Sequence, residues 1–418
     1  MSGLILSAPA SGAGKTTLTL GLLRALTRRG APVRAAKSGP DYIDPRFHEA
    51  ACGRPCPNLD AWAMTPDRIA ALAAGDGLLV VEGAMGLFDA AADGTGATAD
   101  LARQLGLPVI LVLDAARMAQ SAAPLVQGFR DFDPRVRVAG VILNRTGSDR
   151  HERLLRRALA PTGLPVLGAL RRTPDLAHPS RHLGLVQAQE RPDLEAFLDR
   201  AADLVEQSLD LDSLTALAAP LPEAPPARRV PPPAQTIALA RDAAFAFAYP
   251  HLLDDWRAQG AEIRPFSPLA DDPAPGADLV ILPGGYPELH AGRIAANSAF
   301  QQSLRDRAIY GECGGYMVLG ETLTDAEGET HRMAGLLRLE TSFAERRLHL
   351  GYRRLTARGG PLPGTWAAHE FHYATTLRAE GDPLFEATDA EGTDLPPMGL
   401  RQGRVCGSFA HLIDRVLP

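Results

Sequence analysis

The chain has 418 residues, of which 45% are hydrophobic and 22% are charged, and its formal net charge is -6 at pH 7. This length exceeds one ordinary hydrophobic core and favours two domains. The acidic balance argues against a nucleic-acid-binding protein, which usually needs a basic face, and no apolar run approaches the roughly 20 residues of a membrane helix. The opening residues lack the basic and apolar regions of a signal peptide, and the four cysteines show no paired zinc-binding spacing. We therefore expect a cytoplasmic protein.

The first part of the chain alternates short apolar runs with helical stretches. The apolar runs are rich in β-branched residues and are typical of strands buried in a parallel sheet. Residues 15–30 have helical periodicity, and this helix is expected to end at Gly30. Helices on both faces of such a sheet make an α/β fold. The predicted strands are GLILSAP, LLVVEG, VILVLD and VAGVILN.

The segment ILSAPASGAGKTTLTL has the order strand, glycine-containing loop, helix. Such a loop directs backbone N–H groups at an anion, and the helix dipole adds to the field. The strict phosphate-loop pattern G-x-x-x-x-G-K-[ST] fails at its first position, where Pro9 stands, but the strand–loop–helix context supports phosphate binding. Lys15 is expected to reach the β and γ phosphates and Thr16 to bind Mg²⁺. The predicted nucleotide-binding residues of this loop are Gly12, Gly14, Lys15, Thr16 and Thr17.

Lysine is nearly absent from the chain, because only Lys15 and Lys37 among the 43 basic residues are lysines. A lysine ammonium is a point charge and an arginine guanidinium is a planar fork, so a site that needs the first cannot accept the second. Lys37 opens the segment KSGPDYIDP, whose two prolines predict a stiff loop with little room for helix. The loop also presents Asp41 and Asp44, which either cap turns or act with the lysine in phosphoryl transfer to an anionic acceptor.

Polar residues end three of the predicted strands: Glu82, Asp114 and Asn144. In a doubly wound sheet, ligands bind at the carboxyl ends of the strands. An acid beside a phosphate loop is a natural Mg²⁺ ligand, so Glu82 is the metal candidate, with a solvated or helix-capping glutamate as the alternative. Together the three residues predict one ligand-binding rim.

A proline-rich stretch, residues 216–236, is expected to be a semi-rigid linker between two domains, 1–215 and 237–418. Beyond it the pattern of strands that end at glycines returns, which predicts a second α/β domain with helices on both sheet faces. The predicted strands there are TIALA, ADLVILPGG and AIYGECGG.

The segment AIYGECGGYMVLG reads as a strand, a sharp turn and a helix around a G-x-C-x-G motif. This is the cysteine version of a nucleophile elbow, and the helix N-terminus at the sulfur is expected to lower the pKa of Cys313. A buried structural cysteine is the alternative. The N–H of Gly314, and one from Gly284 or Gly285 after another strand, are candidate oxyanion donors. His411 is the candidate base that a thiol nucleophile needs.

The segment WAAHEFHYATT does not match the metal motif H-E-x-x-H, because Tyr373 stands at the place of the second histidine. On a strand, His369 and Tyr373 would share one face, with Glu370 and His372 on the other. We interpret the segment as a substrate contact or an interface rather than a metal site.

The two halves together suggest coupled chemistry, in which ATP activates a carboxylate and ammonia from an amide replaces the phosphate. The chain also resembles, over nearly all of its length, the cobyrinic or hydrogenobyrinic acid a,c-diamide synthases of cobalamin biosynthesis. The resemblance is carried by an ordered set of motifs: SAPASGAGKTT, KSGPDYIDP, VEGAMGLFD, VILNR, RHLGL, LPGGYPELHAG, YGECGGYM, HEFHY and GSFAH.

This resemblance implies an N-terminal P-loop NTPase domain similar to dethiobiotin synthetase and a C-terminal class I (triad-type) glutamine amidotransferase domain. It implies glutamine, ATP and a corrin-ring polycarboxylate as partners, Mg²⁺ as cofactor, and two amidations, on the c and then the a acetate, through an acyl phosphate. A homodimer is left open. The implied roles are glutamine attack by Cys313 with His411 as base, MgATP binding by Lys15, Thr16 and Glu82, adenine recognition by Asn144, and carboxylate phosphorylation beside Lys37, Asp41 and Asp44.

One departure concerns the usual third triad acid, two residues after the histidine, where this chain has Ile413. Asp414, one helical turn beyond His411, is a candidate orienting group, with a surface aspartate as the alternative. The function also has alternatives: cobyric acid synthase, a nickel-sirohydrochlorin a,c-diamide synthase, or a non-biosynthetic P-loop ATPase switch with an inactive amidotransferase domain.

Overall fold

The computed structural model of the chain describes residues 1–173, 180–181, 184–185, 187–224 and 226–416. The chain divides into two compact units, Met1–Ala227 and Arg228–Pro418. Within the described ranges, no helix is both long enough and apolar enough to span a bilayer. The motif RHLGL at 181–185 lies partly outside the described residues.

The first unit alternates strands and helices along the chain. Its strands are β1 (Ser2–Ser7), β2 (Val33–Ser38), β3 (Asn58–Leu59), β4 (Leu78–Glu82), β5 (Val109–Asp114), β6 (Val138–Thr146), β7 (Val166–Arg171), β8 (Ser180–Arg181), β9 (Gly184–Leu185) and β10 (Ala219–Pro220). Its helices are α1 (Lys15–Arg28), α2 (Asp44–Cys52), α3 (Pro66–Ala73), α4 (Thr98–Leu105), α5 (Ala122–Asp131), α6 (Asp149–Leu159), α7 (Leu194–Ser208) and α8 (Leu211–Ala216).

The main sheet of this unit has the order β3-β2-β4-β1-β5-β6-β7, and neighbours along that path are parallel. Buried aliphatic side chains fill its strands, as the apolar runs predicted. The helix α1 packs on α7 so closely that a side chain on Gly21 would overlap the backbone of Ala201. Because the strands along this path are parallel, their carboxyl ends form one edge of the sheet, and the phosphate loop leaves β1 at that edge.

The second unit contains more strand than the sequence predicted. Its strands are β11 (Thr236–Ala240), β12 (Glu262–Phe266), β13 (Leu279–Leu282), β14 (Ile309–Glu312), β15 (Thr322–Thr324), β16 (Thr330–Arg332), β17 (Arg338–Ser342), β18 (His349–Ala357), β19 (Thr365–His372), β20 (Thr375–Glu380), β21 (Phe385–Thr388), β22 (Asp394–Met398), β23 (Leu400–Gln402), β24 (Val405–Ser408) and β25 (Ala410–Arg415). Its helices are α9 (Pro250–Ala258), α10 (Ala291–Ala296), α11 (Ser298–Ser303) and α12 (Gly314–Leu319).

The six-stranded sheet of this unit has the order β12-β11-β13-β14-β24-β23 and is parallel except at β23. Two further sheets accompany it, with the orders β16-β15-β17-β20 and β22-β21-β18-β19-β25. Their pairings are antiparallel apart from that of β15 with β17. The prediction of an α/β unit holds, but it missed these sheets because polar residues interrupt their strands, which therefore lack the long apolar runs of a buried parallel strand.

The segment without helix or strand is shorter than the predicted linker, residues 216–236. Ala216 ends α8, and β10 pairs antiparallel with the start of β1. At the other end, Val230 is buried and its N–H donates to Asp255 at 2.9 Å. The prolines of the stretch are compatible with β10 because it is only two residues long and pairs at the end of β1.

Candidate active sites

The phosphate loop of the first unit is held by the strand beside it. Gly14 has φ 86°, which favours glycine, and a Cβ there would lie 2.3 Å from Nδ2 of Asn144. That amide donates to the carbonyl oxygen of Ala13 at 2.8 Å. Asn144 does not end its strand, because β6 runs on to Thr146. Its side chain therefore braces the loop that precedes α1.

A cavity of about 1010 Å³ opens at this loop. Three arginines, Arg145, Arg171 and Arg172, add positive charge to its wall, and the sequence analysis had not singled them out. Asp114 ends β5 as predicted, and its carboxylate pairs with Arg145 at 2.6 Å. Asp114 is not among the residues that line the cavity, but the structure brings the other residues predicted for the nucleotide half together there: Gly12, Gly14, Lys15, Thr16, Thr17, Lys37, Asp41, Asp44, Glu82 and Asn144.

Lys37 lies at the centre of a buried charge cluster. Its Nζ donates to Oδ2 of Asp44 at 2.6 Å and to Oε1 of Glu82 at 2.8 Å. The hydroxyl of Thr16 donates to the same Oε1 at 2.7 Å and lies 3.3 Å from the same Oδ2. One ammonium and one hydroxyl thus share two carboxylates, which a wider guanidinium fork would not fit in the same way.

The segment KSGPDYIDP is not a loop throughout. Lys37 lies in β2 and Asp44 begins α2, with Pro45 in the first helical turn. Proline suits that position because its missing N–H would have no partner there. Asp41 lies between the two elements, and its Oδ1 accepts the N–H groups of Ile43 and Asp44 at 2.8 and 3.0 Å, so it does cap a turn.

The charges of the cluster shift one another. Burial acts to lower the pKa of Lys37, but the carboxylates of Asp44 and Glu82 raise it well above its usual value. Burial acts to raise the pKa of Glu82, but Lys37 and His48 hold it well below its usual range. Burial and the charge of Asp44 raise the pKa of Asp41 to about 6. Lys37 and Glu82 therefore remain ionised across the neutral range.

His48 belongs to this site although sequence analysis missed it. It lies fully buried on α2, and its Nε2 is 2.7 Å from Oε2 of Glu82. The two oxygens of Glu82 are thus both engaged, one by His48 and the other by Lys37 and Thr16. The only sequence signal was the position of His48 one helical turn after Asp44.

The second unit contains the predicted elbow. Cys313 stands between β14 and α12 with φ 45° and ψ -106°, a strained conformation for a residue with a Cβ. Its N–H donates to the carbonyl oxygen of Ser408 at 2.8 Å, which fixes the turn to β24. Strain of this kind at the first residue before a helix is the geometry expected of a nucleophile.

The glycines predicted as oxyanion donors surround the elbow. A Cβ on Gly314 would lie 3.2 Å from the backbone nitrogen of Gly285, so these two backbones approach closely. A Cβ on Gly284 would lie 2.2 Å from Cε1 of His411. The histidine ring therefore rests directly against Gly284, and the predicted members of the cysteine half lie in one neighbourhood.

The electrostatics of this site differ from the expectation. Burial raises the pKa of Cys313 well above its usual value, the charge of Glu288 acts in the same direction, and the N–H of Gly314 acts against both. Burial lowers the pKa of His411 to about 3, helped by His369 and His372. The expected lowering of the thiol pKa is wrong for this structure, because desolvation outweighs the N–H of Gly314 at the start of α12. The pair is a neutral thiol and a neutral imidazole.

His411 lies in a strand rather than a helix, so the helical spacing to Asp414 that made the aspartate a candidate does not apply. The strand β25 pairs with β19, and His411 stands opposite His369. The residue two positions after the histidine, Ile413, is fully buried.

The first four residues of the segment HEFHY, 369–372, form the end of β19, and its histidines do not form a good metal site. His372 and Glu370 share a hydrogen bond of 3.0 Å, and Glu370 also pairs with Arg353 at 2.8 Å. The rings of His349 and His372 stack with an interplanar angle of 8° and centroids 4.6 Å apart. A metal lies close to the plane of each imidazole that binds it, and two stacked planes cannot both contain the same ion.

Comparisons with known proteins agree with this division into two halves. Residues 4–186 match the family model described as the CobQ/CobB/MinD/ParA nucleotide binding domain, and residues 236–415 match the CobB/CobQ-like glutamine amidotransferase domain. The chain is similar to hydrogenobyrinate a,c-diamide synthases of Brucella anthropi (56% identical), Rhizobium meliloti (56%) and Rhodobacter capsulatus (54%). The alignments cover 99%, 99% and 98% of this chain and equal shares of the three relatives.

A nucleotide-binding domain joined to a glutamine amidotransferase domain defines a glutamine-hydrolysing, ATP-dependent amidating ligase. Full-length similarity at this level places the chain more narrowly. It belongs to the hydrogenobyrinate a,c-diamide synthase family.

Proposed function

We propose that the chain amidates the a and c acetate carboxylates of hydrogenobyrinic acid, with ATP as the activating nucleotide and glutamine as the nitrogen donor. The assignment of the substrate is supported by the 56% identity to a hydrogenobyrinate a,c-diamide synthase over 99% of both chains. The metal-free ring is thereby favoured over its cobalt-containing counterpart. The same observation weighs against an ATPase switch with an inactive second domain.

The chemistry begins at the nucleotide cavity. A substrate carboxylate oxygen attacks the γ phosphorus of ATP, the bond to the β-γ bridging oxygen breaks, and an acyl phosphate and ADP result. Such a reaction depends on positioning and on neutralising charge rather than on covalent catalysis by the protein. Lys15 and Lys37 supply that positive charge. Asp41 and Asp44 supply negative charge that orients Lys37, and Asn144 is assigned to the adenine side of the nucleotide.

The residues present fit a magnesium ion. Thr16, Asp44 and Glu82 offer three hard oxygen donors. Oγ1 of Thr16 lies 2.7 Å from Oε1 of Glu82 and 3.3 Å from Oδ2 of Asp44. Oδ1 of Asp44 is buried and lacks a hydrogen-bond partner in the part of the chain that the structure describes, which leaves it available to a cation. Bound there, Mg²⁺ would offset the negative charge of the nucleotide phosphates. This fit adds Asp44 to the predicted ligands, Thr16 and Glu82.

Ammonia is released at the elbow. The thiol of Cys313 gives its proton to His411 as its sulfur bonds to the amide carbon of glutamine, and the oxyanion is held by N–H groups of Gly314 and of Gly284 or Gly285. The proton then passes to the departing nitrogen as the C–N bond breaks, so ammonia leaves and a thioester remains. Water hydrolyses the thioester to glutamate and restores the thiol.

Ammonia attacks the acyl phosphate and displaces inorganic phosphate, which completes one amide. Because the pKa of His411 is low and that of Cys313 is high, we expect the proton to move during attack by the sulfur rather than before it. Stabilisation of the developing oxyanion by the backbone N–H donors would offset the cost of separating charge in this buried site.

The test is the mass of the product after incubation with glutamine, ATP and Mg²⁺. Hydrogenobyrinic acid and cobyrinic acid are supplied in separate reactions. The expected result is two exchanges of hydroxyl for amino groups on hydrogenobyrinic acid, with two ATP consumed per molecule. Amidation of cobyrinic acid alone would contradict the substrate, and ATP hydrolysis without any amide would contradict the ligase chemistry on these rings.

A further inference from the structure

The glutaminase site lacks the usual acid beside its histidine, and a different carboxyl group lies where that acid would be needed. Glu312, the residue before the nucleophile, directs its Oε2 at Nδ1 of His411 over 3.8 Å. The side chain of Glu312 is 13% exposed, so the carboxyl group is largely shielded from water. The elbow thus contributes two adjacent residues to one site.

The orientation of this carboxyl group is fixed from its other side. Its Oε1 accepts the hydroxyl of Tyr310 at 3.2 Å and the backbone N–H of Leu412 at 3.2 Å. Two donors on one oxygen leave the second oxygen facing the imidazole. The separation of 3.8 Å is within about 1 Å of a hydrogen bond between Nδ1 and Oε2.

We propose that Glu312 is the positioning residue of the glutaminase half, holding Nδ1 of His411 so that Nε2 is presented to the thiol of Cys313. This inference rests on the proposed function, because it assigns a role within the glutamine reaction. A carboxyl group on Nδ1 selects the tautomer that leaves Nε2 free to accept a proton, and it stabilises the imidazolium that follows. Glu312 touches neither substrate in this role.

Several titratable groups surround Glu312 and His411 and affect how the glutaminase kcat depends on pH. Burial raises the pKa of Glu312 to about 8, while the N–H of Leu412 and the hydroxyl of Tyr310 act in the opposite direction. Facing His411 from β19 are His369 and His372, and the charge of Glu288 acts on Cys313 from the segment after β13. The ionisation of Glu312 therefore falls in the slightly alkaline range.

The experiment compares wild type with Glu312→Gln in the full-length protein. Glutaminase kcat and KM are measured from about pH 6 to about pH 9, and amidation with free ammonium is measured in parallel. We expect Glu312→Gln to lower the glutaminase kcat about 100-fold, with KM for glutamine within about threefold and ammonium-driven amidation retained. Because this role needs the carboxylate, the wild-type kcat should rise with pH through about 8, the pKa of Glu312, and this rise should be missing in Glu312→Gln.

Two further variants keep the result interpretable. Glu386→Gln makes the same substitution at an exposed carboxylate of β21 and should behave as wild type. Tyr310→Phe keeps the carboxyl group but removes a donor that lowers the pKa of Glu312, so the rise in kcat should move to higher pH. If Glu312→Gln does not fold, the Tyr310→Phe variant decides the question, and a rise in kcat at the wild-type pH refutes the proposal.

A Glu312→Gln enzyme with wild-type kcat, or with a lower kcat but an unchanged pH profile, would also overturn the assignment. Failure of the proposed function would appear elsewhere. In that case the wild-type enzyme would form no amide on hydrogenobyrinic acid with either glutamine or ammonium, whatever Glu312→Gln does to glutamine hydrolysis.

Discussion

The buried position of Lys37 makes the stability of the first unit depend on one ammonium group. Lys37→Met removes the cation from between Asp44 and Glu82, whose side chains are 7% and 1% exposed. Removing one partner of a buried ion pair typically costs about 3–5 kcal/mol. Because Thr16 and His48 still contact Glu82, we expect the lower end of that range, about 3 kcal/mol.

For a unit of this size, about 3 kcal/mol corresponds to a fall in Tm of about 6–12 °C. The measurement is a thermal scan in EDTA, and the signal for the first unit is the fluorescence of Trp62, its sole tryptophan. The double variant Lys37→Met with Asp44→Asn should recover much of the loss, since it removes a buried charge together with its partner. Lys37→Arg is the charge-conserving control.

The effect of Mg²⁺ on Tm distinguishes loss of the buried ion pair from a general loss of packing. A cation that binds the folded state at about 100 times its Kd stabilises it by about 2.7 kcal/mol. Mg²⁺ should therefore raise the Tm of Lys37→Met more than that of wild type, where the ammonium competes for the same oxygens. Equal Tm values for wild type and Lys37→Met in EDTA would refute the reasoning.

Four further results are expected. Cys313→Ala should abolish glutamine-dependent amidation and retain amidation with free ammonium, and persistent activity with glutamine would contradict the nucleophile. Gly284→Ala should lower glutaminase activity by at least about tenfold without affecting ammonium-driven amidation, because its Cβ would meet the ring of His411 at 2.2 Å. Lys37→Arg should abolish substrate-dependent ADP formation, and full ATP turnover would show that a guanidinium suffices. The folded-state pKa of His411 is lowered to about 3, so the unfolded chain binds a proton at this histidine below about pH 6.5 while the folded chain does not. The unfolding free energy of the second unit should therefore fall as pH falls from about 6.5 to about 4, and His411→Gln should flatten this dependence.

Much of the nucleotide half could be predicted because parallel strands place their carboxyl ends on one edge. Glu82 and the phosphate loop follow from that rule and from short motifs. Lys37 followed from composition, since lysine survives at only two positions. His48 could not be predicted, because its contact with Glu82 joins residues 34 apart in sequence through the packing of α2.

In the glutaminase half, the glycines around Cys313 predicted the elbow, whereas its electrostatics depended on burial. A helix N-terminus suggested a lowered thiol pKa, and only the packed structure revealed the larger opposing effect of desolvation. Glu312 looked like a spacer within the G-x-C-x-G motif. Its contact with His411 arises because β14 and β25 converge there, and no local pattern encodes that approach.

The scarcity of lysine also has a practical side. Both lysine side chains line the same cavity, and Lys15 and Lys37 are 7% and 3% exposed. An amine-directed acylating reagent, which modifies most proteins indiscriminately, would here find only the chain's α-amino group and the mouth of this cavity. Protection of Lys15 from acylation would thus serve as a footprint of nucleotide occupancy, readable from a single peptide by mass spectrometry.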